Sequence, residues 1–115
     1  MLPATLLGMD RAATGGRPRV GLAVVRGDSM RPTLRPGERL LVSYGARVRP
    51  GRIVVARFAD GTLAVKRVAE RRGSGWWLLS DNPDAGVDSR HRGAVPDADV
   101  AGVVRGRVWP RPRLL

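Results

Sequence analysis

Two side chains in this sequence are of types that do chemistry together, Ser29 and Lys66. A serine hydroxyl is a weak nucleophile until a neighbouring base takes its proton. Lys66 is the sole lysine of the chain and stands among 20 arginines. Arginine keeps its proton in proteins, with a pKa above about 12. Lysine becomes a base when its pKa falls from about 10.4 to about 7–8, and burial drives that fall by disfavouring the ammonium form. In Thr62-Leu63-Ala64-Val65-Lys66-Arg67-Val68, strand alternation sets Lys66 on one face with Ala64 and Val68, an apolar setting fit for a neutral amine. The plainer reading is a lysine that snorkels to water from a sheet edge. A separation of 37 residues excludes a Ser-x-x-Lys pair on one helix, so the two must meet across strands.

Ser29 lies in Gly27-Asp28-Ser29-Met30-Arg31-Pro32-Thr33-Leu34, directly after a valine-rich run. Small residues before the serine permit close backbone approach, and Pro32 turns the chain away afterwards. Such a segment can present an Oγ and a neighbouring N–H to a substrate carbonyl, although the same residue types also make ordinary turns. The only histidine, His91, sits in a polar stretch between Arg90 and Arg92, which disfavours its charged form without barring it as a base. With no cysteine and one histidine, disulfides, thiolate zinc sites and cysteine nucleophiles are excluded, and neither a metal nor a cofactor is expected.

The elements that must position these groups are short. The chain of 115 residues has the length of one domain, and its 15 glycines and 9 prolines separate brief valine-rich runs. Strands are predicted at Val20–Val25, Arg39–Ser43, Ile53–Phe58, Thr62–Ala69, Trp76–Ser80 and Val100–Val108. Asp60-Gly61 predicts a type I′ hairpin turn. A turn or single helical turn is expected over Pro32–Gly37, a long polar loop over Asp81–Asp99, and a loosely attached arm over residues 1–19. The remaining residues, 20–115, form the single β-rich domain, a small and mostly antiparallel barrel or folded sheet.

The net charge of +11 attracts phosphate. The arginines are spread from Arg11 to Arg113, however, with Arg71-Arg72 the only adjacent pair, and no helix-turn-helix, zinc-finger or RNP pattern is present. Specific nucleic-acid recognition is therefore not expected. Peripheral contact with acidic lipid is compatible with the charge, with Trp76, Trp77 and Trp109 as interfacial candidates, although strand aromatics more often pack in the core. Neither a secretory signal nor a run of about 20 apolar residues occurs, and a cytoplasmic location is expected.

Three segments in order resemble the type I signal peptidase family of serine–lysine proteases. Ser29-Met30-Arg31-Pro32-Thr33-Leu34 resembles its nucleophile box and Val65-Lys66-Arg67-Val68 its general-base box. Ser80-Asp81-Asn82-Pro83-Asp84-Ala85-Gly86-Val87-Asp88-Ser89-Arg90 resembles the later Gly-Asp-Asn…Asp-Ser-Arg box. The resemblance implies a signal-peptidase or SOS-repressor-like β-fold, with Ser29 as nucleophile and Lys66 as general base. It further implies an oxyanion donor in the Ser29 N–H and a groove formed by Gly27, Met30 and Pro32. Arg67–Asp81 and Asp88–Arg90 would be supporting pairs, and the substrate would be a protein bound as an added strand. Two serines found in some members fall on Gly27 and Gly86 here.

Small size, with no anchor or extra domain, most resembles the nickel-type superoxide dismutase maturation proteases of actinobacteria. That implies removal of a leader peptide from a dismutase precursor. Three alternatives stand beside it: another signal-peptidase-like protease at a membrane surface, a non-enzymatic basic β-barrel binding module, and a self-cleaving regulator of the SOS-repressor type. The last is disfavoured because only 28 residues precede Ser29 and none of them forms an Ala-Gly pair.

Overall fold

The computed structural model describes residues 4–8 and 19–115. Its strands are β1 (Ala4–Gly8), β2 (Val20–Val25), β3 (Arg39–Tyr44), β4 (Ile53–Arg57), β5 (Leu63–Arg72), β6 (Gly75–Leu79), β7 (Val95–Pro96), β8 (Val100–Trp109) and β9 (Arg113–Leu114). A single helical turn, α1 (Ser89–Arg92), and a 3₁₀ turn at Asp97–Asp99 interrupt them. All the strand pairs are antiparallel, and the ladder runs β1-β2-β3-β8-β4-β5-β6-β7, with β9 attached to β8. The expected β class holds, as a folded sheet whose ladder does not close into a barrel.

Burial explains why valine runs are used. Ile53 and Val55 of β4 enter one apolar cluster with Ala23, Leu40, Val42 and Val104. Val54 and Ala56, facing the other way, enter a second with Phe58, Ala64, Val68, Leu78 and Val103. A strand covered on both faces reads as a continuous apolar run rather than as an alternation. β5 behaves likewise up to Val68, with Val65 in the first cluster and Ala64 and Val68 in the second, and its remaining residues are exposed.

The six predicted strands are present, with ends displaced by up to three residues. Two local expectations are corrected. The β4–β5 hairpin is not type I′, because positive φ occurs at Gly61 (+87°) and not at Asp60. Gly61 N–H closes a turn on Phe58 C=O, Phe58 N–H reaches Thr62 C=O, and Asp60 Oδ1 accepts the Thr62 N–H. That carboxylate stabilises a longer loop with one left-handed residue. The stretch after Asp81 is also not a continuous loop. Asp88 caps α1 by accepting the Arg90 N–H, and β7 then pairs with β6. The expected arm at residues 1–19 lies largely outside the described residues, and its described part, β1, is paired with β2. Among the described residues no helix is long and apolar enough to cross a membrane.

Candidate active site

β2 delivers the chain to a tight turn at Asp28–Leu34, closed by Arg31 N–H to Asp28 C=O and Leu34 N–H to Met30 C=O. Leu34 and Met30 are buried and anchor the turn in the first apolar cluster. Ser29 is thereby held at the sheet end at 6% exposure. β5 supplies Lys66, fully buried at 0% exposure, and its Nζ lies 2.8 Å from Ser29 Oγ. Burial pulls the amine from its ordinary value of 10.5 down to about 8, against the upward pull of the Asp88 carboxylate. An amine with that pKa is partly neutral near physiological pH and has a free lone pair to receive the hydroxyl proton at this separation. The snorkelling alternative is excluded by the burial.

The Ser80–Arg90 segment closes over the pair. Asn82 N–H donates to Ser29 C=O at 2.8 Å and Asn82 Nδ2 to Asp28 C=O at 3.2 Å, stitching the segment to the serine turn. Arg67 holds Asp81 through Nε at 3.0 Å and Nη2 at 2.7 Å, and Thr33 Oγ1 donates to the same carboxylate at 2.6 Å. Burial raises the Asp81 pKa, but these donors outweigh it and hold the carboxyl below the usual range. Asp88 is fully buried. Burial pushes its pKa up too, yet Arg90 and the Ser80 and Arg90 N–H groups bring it down to about 2. It is therefore a fixed negative charge at neutral pH.

Gly86 lies against both Ser29 and Lys66. A Cβ there would stand 2.6 Å from Ser29 Cβ and 3.4 Å from Lys66 Nζ and Ser29 Oγ, and its φ is +77°. The missing side chain is what lets the segment come this close.

A cavity of about 380 Å³ opens on the pair, lined by Gly27, Phe58, Val87 and the rim residues Arg26, Asp60 and Arg92, among others. Arg92 and Asp60, both in its lining, pair with each other at 3.2 Å. No hydrogen bond within the described residues engages the Ser29 N–H, which leaves that donor free for a developing oxyanion. On one side β5 pairs with β4 along Leu63–Arg67, but β6 joins it only from Arg67 onward. Among the described residues no strand therefore pairs with the other edge of Leu63–Lys66, although β1 passes close to β5.

The structure thus brings together Ser29, Lys66, Gly27 and Gly86, and behind them the Arg67–Asp81 and Asp88–Arg90 pairs. Met30 and Pro32 do not line the cavity. Met30 is 1% exposed, packed in the core with its Sδ accepting the Asp81 N–H, because an apolar thioether gains more there than at a wet rim. Pro32 lies exposed on the outer side of the turn. His91 is spent on α1, where Nδ1 accepts the Asp88 N–H at 3.3 Å. Sequence reasoning missed Thr33, Phe58 and the Asp60–Arg92 strap. Their roles arise from pairings between segments remote in sequence, and no local pattern announces them.

Residues 7–105 match the Peptidase S24-like family. LexA repressor 1 of Pseudomonas syringae pv. tomato is 39% identical over 85 residues, which cover 70% of this chain and 41% of the repressor. The chain thus matches about two fifths of that curated relative's length. The family match extends over the serine turn, the β5 lysine and the segment that closes over them. On that coverage, the chain belongs to the Peptidase S24-like family.

Proposed function

We propose that the protein is a serine endopeptidase with a Ser29–Lys66 dyad. One observation carries the reading: a fully buried, low-pKa amine 2.8 Å from a serine hydroxyl at the floor of an open cavity. Lys66 Nζ takes the hydroxyl proton as Ser29 Oγ attacks the scissile carbonyl, and the Ser29 N–H binds the resulting oxyanion. The Lys66 ammonium then protonates the leaving amine, which departs as the ester forms. A water that gives its proton to Lys66 hydrolyses the ester and restores the serine. Substrate lies extended along the Leu63–Lys66 edge, which no described strand pairs. Arg67–Asp81 and Asp88–Arg90 hold the closing segment and do no bond chemistry.

The substrate we favour is a separate, leader-bearing precursor in the cytoplasm, a nickel-type superoxide dismutase in particular. The resemblance of the three boxes to those of leader-removing signal peptidases supports a separate substrate, and the dismutase is our choice of precursor to test. Self-cleavage in the manner of a repressor is the second reading, favoured by the likeness to LexA repressor 1.

Purified protein incubated at pH 9, alone and with the dismutase precursor, separates these readings by intact mass. A shortened precursor with an unchanged enzyme supports processing of a separate substrate, and a shortened enzyme supports self-cleavage. Ser29→Ala abolishes either event. Cleavage that persists in Ser29→Ala, or the absence of both cleavage and fluorophosphonate labelling in the wild type, sinks the peptidase reading in favour of a binding module.

A further inference from the structure

Away from the dyad, the β8–β9 hairpin carries a surface that the proposed chemistry does not use. Val108, Trp109 and Leu114 are 40%, 53% and 88% exposed. They lie on or beside a shallow groove of about 360 Å³ whose lining includes Leu41, Arg105, Pro112 and Arg113. Arg39 sits opposite Trp109 in the β3–β8 register, its guanidinium 5.1 Å from the indole centroid. Arg39, Arg105, Arg111 and Arg113 are exposed and make no ion pair within the described residues, whereas Arg107 is held by Glu38 at 3.1 Å. No acidic residue occurs from Val100 to Leu115. The same patch is aliphatic, aromatic and cationic.

These three properties together select among partners. Nucleic acid would use the arginines and the indole but gain nothing from Val108 and Leu114. A second copy would bring four uncompensated arginines against four more. An anionic bilayer uses every component, with guanidinium groups on headgroup phosphates, tryptophan at headgroup level and aliphatic side chains at the acyl boundary. We propose that the β8–β9 hairpin is a peripheral docking site for an anionic phospholipid surface. The inference is independent of the peptidase reading.

Flotation of the purified protein with vesicles of phosphatidylcholine, alone or mixed with phosphatidylglycerol, tests it. Binding is expected to the mixed vesicles and not to phosphatidylcholine alone. Arg105→Gln/Arg111→Gln/Arg113→Gln should weaken binding about 100-fold at low salt, at about fivefold per arginine. Trp109→Ser/Leu114→Ser, which leaves the charge unchanged, should weaken it at least about tenfold. The control Arg47→Gln/Arg49→Gln/Arg57→Gln removes equal charge elsewhere and should change binding by no more than about threefold. The proposal is overturned if wild-type protein ignores the mixed vesicles or if both arginine sets weaken binding equally. It also fails if the hairpin variants lose self-association or duplex-DNA binding while vesicle binding stays intact.

Discussion

Replacing Lys66 with methionine should make the protein more stable at neutral pH while removing its proposed chemistry. The amine's ordinary value is 10.5 and burial lowers it to about 8. At about 1.4 kcal/mol per pH unit, that gap costs the folded state about 3 kcal/mol at pH 7. The sign follows from proton balance. Between pH 8 and 10.5 the unfolded chain holds a proton that the folded chain has released, so wild-type stability rises with pH across that window. Below pH 8 the whole cost is present, and above 10.5 none of it remains. Methionine keeps most of the side-chain volume without the charge, but forfeits the hydrogen bond to Ser29 Oγ, about 1 kcal/mol.

The variant should therefore be about 2 kcal/mol more stable than wild type at pH 7 and about 1 kcal/mol less stable at pH 10.5. Urea unfolding at the two pH values, followed by tryptophan fluorescence, measures both differences. Lower stability at pH 7, or a difference that stays constant between the two conditions, would refute the low-pKa buried amine.

With Lys66 as the base, kcat/KM should climb about tenfold per pH unit below pH 8 and then level off, with about a tenth of the plateau at pH 7. A profile that stays flat down to pH 6 contradicts that role. Gly86→Ala places a methyl group against Ser29 Cβ at a positive φ. It should lower kcat/KM at least about tenfold and stability by about 1–3 kcal/mol, and wild-type turnover would show that the segment can retreat. Asp81→Asn breaks the fork with Arg67, and chemical denaturation should show a loss of about 1–3 kcal/mol. Met30→Ala should cost about 2–4 kcal/mol with KM unchanged. A raised KM at full stability would return Met30 to the groove.

The β class and the central strands were legible because their signal is local. Ile53-Val54-Val55-Ala56 is an apolar run between turn residues, and a doubly covered strand needs nothing else to identify it. Lys66 was legible for a compositional reason, as the sole lysine among 20 arginines that keep their protons. The missed features depend on partners. β7 is two residues long and exists only because β6 offers an edge to Val95 and Pro96. The Asp60 turn looked like type I′ because Asp-Gly suits that turn, yet the carboxylate bonded forward to Thr62 instead. Met30 stands beside Ser29 in sequence but is packed in the core, and sequence adjacency to a candidate nucleophile says nothing about direction. In the sequence Gly86 marks only a position where some related proteins carry a serine, whereas its closeness to Ser29 Cβ is a fact of tertiary contact.

The unpaired stretch of β5 has a consequence for selectivity. Main-chain donors and acceptors are the same in every residue except proline, so a ligand held by them is sorted by its shape in space more than by its spelling. Helices and closed ladders have already committed those groups and offer nothing to grip. If the proposed peptidase grips substrate this way, proteins in their native state should be cut only as fast as a segment peels away from its own fold, and the rate should follow the free energy of that local opening. A slack linker or an unravelled tail would be taken first, whatever it spells.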